Sequence, residues 1–110
     1  MHMKYKITGT RGGLPFEISA DRIDCDIKEH SYTDELQFTE YILDETGEIC
    51  GLKGRADLGH GYGFNYGWKA FTIKPGETYA FTHAYTSIEG PSDWTEDSFH
   101  VILRLEESES

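Results

Sequence analysis

Apolar and polar residues alternate along most of this chain, and that alternation predicts β-strands. The segment 16–20 separates Phe, Ile and Ala by single polar residues, and the segment 99–105 repeats the spacing with Phe, Val and two Leu. In residues 78–85, three aromatic residues and one His occupy alternate positions, so they would lie on one face of a strand. A period of two indicates strands with one buried face. Helical periodicity is nearly absent.

Turn residues separate these alternating segments at short intervals. Gly12 and Gly13 follow the first segment, and Gly47 closes the connection 44–47. In the sequence Lys-Pro-Gly-Glu at 74–77, Pro presets the first turn dihedral and Gly accepts a positive φ, which predicts a type II turn. Seven or eight strands joined in this way predict an all-β protein, either an antiparallel β-sandwich or a flattened barrel.

One late hairpin resembles a known type of sandwich. Pro75 and Gly76, followed by Tyr79-Ala80-Phe81, look like the late hairpin of immunoglobulin- and fibronectin-like domains. The resemblance covers about fifteen residues and implies a possible topology, with no functional residue attached to it. The Cys…Trp…Cys framework is missing from the sequence, which argues against a true immunoglobulin domain.

The length of 110 residues predicts one domain over 1–110. We interpret residues 1–3 as a translation start or an added remnant, and residues 106–110 as a frayed acidic tail. Residues 93–98 are compatible with one helical turn.

Glu40 continues the alternate positions of Leu36 and Phe38, whose side chains we expect on the buried face of the strand. Either this carboxyl group lies in an unusual environment, or a β-bulge near Thr39 shifts the parity and turns Glu40 outward. We favour the bulge.

Composition narrows the classes of partner. Twenty acidic and ten basic residues give a net charge of -10, and 37% of residues are hydrophobic. This hydrophobic content excludes intrinsic disorder, and the apolar runs are too short to span a membrane. The negative charge argues against direct nucleic-acid binding.

The negative charge is concentrated in residues 17–48, which carry eleven acidic side chains against two basic ones. One interpretation is an acidic sheet face, including Asp24, Asp26 and Glu29, that attracts a protein partner with a basic surface. The other is a solvated face that keeps the protein soluble and prevents edge-to-edge pairing.

Residues 59–68 alternate glycine with aromatic rings. If this segment is extended, one side carries His60, Tyr62, Phe64, Tyr66 and Trp68, and the other carries Asn65 and glycines. The rings form a core strand, or a loop that contacts a partner as antibody paratopes do, or a platform for a sugar. Half of these positions are glycine or asparagine, which is costly for a plain core strand.

Motifs for nucleotide binding, serine hydrolysis and zinc proteolysis are absent from the sequence, and no cofactor is predicted. Three histidines in strand-like segments, His60, His83 and His100, would form a metal site if their registers and faces agree. Otherwise they are half-buried rings. Trp94 stands among acidic residues, where it either contacts a basic partner or caps the core.

The two cysteines, Cys25 and Cys50, are too far apart in sequence for zinc-type spacing. Because no secretory signal precedes the first segment, we favour free thiols and a cytoplasmic protein, with a mature secreted form as the alternative.

These observations lead to one functional hypothesis and one alternative. We expect a non-enzymatic protein that binds a macromolecular partner through an acidic sheet face and an aromatic, glycine-rich loop, as inhibitors and immunity proteins do. The alternative is a carbohydrate-binding or small-molecule-binding module that uses the aromatic residues of 60–68.

Overall fold

The computed structural model describes residues 2–22, 31–86 and 95–106, which form strands, turns and short connections. The six-stranded sheet contains β1 (His2–Arg11), β2 (Leu14–Arg22), β6 (Gly59–Gly61), β7 (Phe64–Asn65), β9 (Thr78–Tyr85) and β10 (Thr95–Glu106). The four-stranded sheet contains β3 (Ser31–Thr33), β4 (Leu36–Leu43), β5 (Ile49–Asp57) and β8 (Trp68–Ile73). Within these ranges, no helix is long and apolar enough to cross a bilayer.

The two sheets pack face to face, so the predicted β-sandwich is confirmed. The strand orders are β2-β1-β10-β9-β6-β7 and β3-β4-β5-β8, and all pairs are antiparallel except β6 with β9. The barrel alternative is wrong because each sheet, in the part of the chain described, ends at two open edges. The expected seven or eight strands become ten described strands because short strands also form at 31–33 and within 59–65.

The topology differs from that of an immunoglobulin domain. There, the first and the last pairs of strands belong to different sheets. Here β1 and β2 share a sheet with β9 and β10, and β1 pairs directly with β10. The resemblance of the late hairpin is therefore local.

The predicted turns form where glycine allows them. Gly12 and Gly13 have φ values of 59° and 83° and connect β1 to β2 in two residues, as a type I′ turn requires. Gly76 has a φ of 86°, and the amide of Glu77 donates to the carbonyl of Lys74 over 2.9 Å, which confirms the type II geometry.

The core lies between the sheets and is rich in aromatic side chains. The ring of Tyr5 on β1 meets the ring of Phe38 on β4 at 4.8 Å, edge to face, and so joins the two sheets. The buried apolar residues of the core are Tyr5, Ile7, Leu36, Phe38, Leu52, Ala56, Phe71, Ile73, Phe81, Phe99, Val101 and Leu103. Alternation along each strand places these side chains on the inner faces.

The predicted bulge in β4 is confirmed. The register with β5 shifts between Phe38 and Glu40, so Thr39 is the additional residue. After the shift Tyr41 packs against the core. Glu40 faces solvent and forms an ion pair with Lys53 at 3.0 Å.

Strands β1 and β10 extend to the ends of the described residues. Strand β10 already includes Thr95–Ser98, so no helical turn forms over this part of 93–98. Strand β1 begins at His2, which pairs with Glu106 at the end of β10.

We expect Phe38→Ala to lower the free energy of unfolding by about 3–5 kcal/mol, because it removes a fully buried ring that contacts both sheets. Leu43 lies on the same strand but is exposed, and Leu43→Ala should change stability by about 0.5 kcal/mol or less. Urea denaturation of both variants measures the difference. Equal losses would contradict the placement of Phe38 at the centre of the core.

Candidate functional site

The glycine-rich segment forms a hairpin that crosses from one sheet to the other. We call residues 57–68 the aromatic hairpin. At its base Asp57 pairs with Trp68 in the four-stranded sheet, and at its end Gly61 pairs with Phe64 in the six-stranded sheet. Between them, the amide of Tyr66 donates to the carbonyl of Gly59 over 2.9 Å. The two strands therefore stay paired through the sheet crossing.

The hairpin reverses at Tyr62 and Gly63, and this corrects the extended arrangement considered from the sequence. Gly63 has a φ of 79°, a conformation that glycine adopts without strain. His60 is then opposite Asn65. Cross-strand partners share a face, so His60 lies on the other face from Phe64. The rings of the segment do not form one continuous ladder.

The rings of this segment are exposed, which contradicts the core-strand interpretation. The exposed fractions are 69% for Tyr62, 41% for Phe64, 52% for Tyr66 and 43% for Trp68. Phe64 and Tyr66 contact each other edge to face, with ring centroids 5.2 Å apart and an interplanar angle of 68°. The structure thus brings four predicted ring residues to one exposed hairpin.

Two polar side chains support the hairpin at its base and its end. The guanidinium of Arg55 lies 5.0 Å from the ring centroid of Trp68, a cation–π distance. Arg55 also donates from Nε to the side-chain oxygen of Gln37 over 2.8 Å. Asn65 accepts the amide hydrogen of Gly67 over 2.7 Å, so its side chain stabilises the hairpin.

Gly59 lies against the backbone of β9, and Gly61 lies against neighbouring side chains. A Cβ atom on Gly59 would lie 1.8 Å from the carbonyl oxygen of Ala84 on β9, and Gly59 has a φ of 113°. A Cβ atom on Gly61 would lie 2.3 Å from the ring of Phe64. The bare glycines therefore let β6 pack against β9 and let Phe64 cover the strand opposite.

A cluster of Asp57, His60 and His83 lies where the hairpin meets β9. The rings of His60 and His83 have centroids 5.9 Å apart. His83 is buried, and its Nδ1 lies 2.9 Å from the backbone carbonyl oxygen of Asp57 and 3.9 Å from the carboxylate Oδ2 of the same residue. With one ligand atom from each residue, the three atoms lie within 4.8 Å of one another.

His100 does not join the other two histidines, although the sequence analysis grouped all three. His100 pairs with Ala80 and is exposed, whereas His83 is buried on the inner face of the sheet. The two side chains occupy opposite faces because their strand positions differ in parity. Asp57 takes the third place in the cluster. Its spacing of three residues from His60 was the available signal, and the sequence analysis missed it.

The acidic block of residues 17–48 is divided between the sheets. Strand β2 belongs to the six-stranded sheet, and β3 and β4 belong to the other. Described carboxylates also pair with basic side chains: Glu17 with Lys6 at 3.1 Å, Glu35 with Arg11 at 2.6 Å, and Glu40 with Lys53 at 3.0 Å. The block therefore does not form one sheet face within the described residues. Four predicted binding residues lie outside those residues, namely Asp24, Asp26, Glu29 and Trp94.

An open cleft of about 690 Å³ lies elsewhere on the surface, lined in part by Asp44, Cys50, Pro75 and Leu105. The pKa of Asp44 is lowered because its carboxylate accepts hydrogen bonds from the hydroxyl and the amide of Thr46. These bonds stabilise the predicted turn at 44–47, so the carboxylate has a structural role. Cys50 is a half-buried free thiol, while Cys25 lies outside the described residues.

Comparison of this chain with family models, with curated proteins and with solved structures gives no match.

We expect Gly59→Ala to lower the free energy of unfolding by more than about 2 kcal/mol, since the methyl group would collide with the backbone of Ala84. Gly63→Ala is the matched control, because Gly63 also has a positive φ but faces open space. It should cost only about 1–2 kcal/mol, the strain of a left-handed alanine. Urea denaturation compares the two variants. If both cost the same, the close approach to β9 does not limit this position.

Proposed function

We propose that this protein is a non-enzymatic binding protein whose aromatic hairpin contacts a protein partner with a basic surface. The observation that carries the proposal is the exposure of Tyr62, Phe64, Tyr66 and Trp68 together on one tightly paired hairpin. An inhibitor or immunity-type protein acts in this way, by covering a functional surface of its partner.

The composition of the hairpin suits protein recognition. Tyrosine and tryptophan supply a large contact area with few rotatable bonds, and asparagine and glycine adapt the backbone around them. Exposed aromatic clusters are also uncommon on monomeric proteins unless something binds them. The cluster here lies at a sheet edge, since β7 is the last strand of the six-stranded sheet.

The hairpin is held in place before any partner arrives. The amide of Tyr62 donates to the hydroxyl of Thr86 over 2.8 Å, and the amide of Thr86 donates to the carbonyl of His60 over 3.3 Å. Its other end continues the β5–β8 pairing. A surface that is ordered in advance loses less entropy on binding, which favours affinity.

A protein partner fits the ring geometry better than a sugar does. Sugars stack on open, flat ring faces, but Phe64 and Tyr66 are inclined at 68° to each other. One face of Trp68 is approached by the guanidinium of Arg55. These rings therefore form an uneven surface, which suits contact with a protein. The experiments below distinguish protein binding from carbohydrate binding.

Charge contributes at long range. The net charge of -10 attracts a basic partner and raises the association rate. Near the hairpin base, however, Arg55 and Lys69 are basic. We therefore assign most of the contact energy to the rings and the steering to the overall negative field.

A photoreactive residue at position 62 should crosslink the partner, whereas the same residue at position 14 should not. Leu14 is the control because it is 72% exposed at the tip of a different hairpin, β1–β2. Mass spectrometry identifies crosslinked proteins from native cells. Equal labelling from both positions would contradict a specific hairpin interface.

With the purified partner, Tyr62→Ala and Tyr66→Ala should each weaken binding at least about tenfold, as residues central to interfaces do. Leu14→Ala should bind as the wild type does, and affinity should fall as salt rises. Isothermal titration calorimetry measures the affinity of each variant and its dependence on salt. Unchanged affinity of both tyrosine variants would exclude the hairpin, and affinity independent of salt would exclude the basic partner. A glycan that quenches tryptophan fluorescence and loses this effect in Tyr66→Ala would support the sugar alternative instead.

A further inference from the structure

We propose that Asp57, His60 and His83 form a binding site for a divalent transition-metal ion of the zinc class. The site goes beyond the proposed protein-binding function and does not depend on it. Two imidazoles and one carboxylate are a set of ligands that zinc binds in proteins, with one position left for water or another ligand.

The ligand atoms are close enough for one ion. Zinc holds nitrogen ligands at about 2.0–2.1 Å, so the atoms of a tetrahedral site lie about 3.3 Å apart. The atoms of this cluster lie within 4.8 Å of one another. The exposed side chain of His60 is free to rotate and bring its ring nitrogen closer to the other two residues.

Hydrogen bonds to neighbouring backbone orient the other two ligands. A carbonyl oxygen only accepts, so Nδ1 of His83 carries the proton that it donates to the carbonyl of Asp57. That tautomer keeps a lone pair on Nε2, and histidine ligands of metal ions commonly make such a second bond. Asp57 accepts the amide hydrogen of Gly59 through Oδ1 over 2.9 Å, and its Oδ2 faces His83.

Burial and charge also favour a cation here. His83 is 6% exposed, and burial strengthens the attraction between a cation and a carboxylate. Asp97, which is buried, is the cross-strand neighbour of His83 on β10. Its carboxylate accepts the amide hydrogen of Gly12 and adds a second negative charge near the site.

A bound ion would connect the base of the aromatic hairpin to β9. Asp57 ends β5, His60 lies on β6 and His83 lies on β9, so the three ligands come from both sheets. An ion held by all three would oppose separation of β6 from β9, the contact that positions the exposed rings. We therefore expect zinc to raise the thermal midpoint of the protein.

The test is titration of the full chain with Co²⁺, followed by displacement with Zn²⁺. The protein carries His2→Ala, which removes a histidine that is not one of the three proposed ligands. We expect one ion per chain, a cobalt spectrum of nitrogen and oxygen ligation, and no intense sulfur-to-cobalt band. Binding of less than one ion per chain, or a thiolate band, would overturn the proposal.

Three variants assign the ligands. His60→Ala and Asp57→Asn should each weaken Zn²⁺ binding at least about tenfold and make the thermal shift smaller at the same zinc concentration. His60 is exposed, and the asparagine oxygen can still accept the hydrogen bond from Gly59, so both variants should fold. His100→Ala is the matched control, an exposed histidine outside the cluster, and should bind as the parent does. Equal losses in all three variants, or none in His60→Ala, would overturn the site.

Discussion

The close backbone approach of Gly59 to Ala84 is the constraint on which the candidate site depends. At this point the chain leaves the four-stranded sheet and pairs, in parallel, with β9 of the six-stranded sheet. The approach leaves no room for a side chain at position 59. It places His60 beside His83 and directs the turn at Tyr62 and Gly63 away from the core, which is why the rings are exposed.

The core joins the two sheets to which that hairpin belongs. Tyr5 and Phe38 join the sheets edge to face, and Phe71 stacks on Tyr79 at 4.2 Å beside the β8–β9 connection. Aromatic side chains packed in this way fill the space between the sheets, and each has few rotamers available. The hairpin that carries the exposed rings continues both sheets, and for the proposed binding function this order in advance would reduce the entropy lost on binding.

The acidic residues that are clustered in the sequence are separated in the folded protein. The acidic block of 17–48 supplies strands to both sheets, and several of its carboxylates form ion pairs across strands or sheets, as Glu17 does with Lys6 and Glu35 with Arg11. Such exposed pairs contribute little stability, but they reduce the local field. What remains is a long-range negative potential, which favours encounter with a basic surface more than it determines the contact.

The sequence alone determined the longer strand-forming segments, the turns at Gly12, Gly47 and Gly76 and the bulge at Thr39, because each depends on local backbone geometry and on which side chains alternate. It also indicated that residues 59–68 are poorly suited to a buried strand. The tertiary structure decided which sheet each strand joins, the reversal at Gly63 and the replacement of His100 by Asp57 beside His60. Alternation specifies a period and a face, but the partner strand and its register depend on contacts between residues distant in sequence.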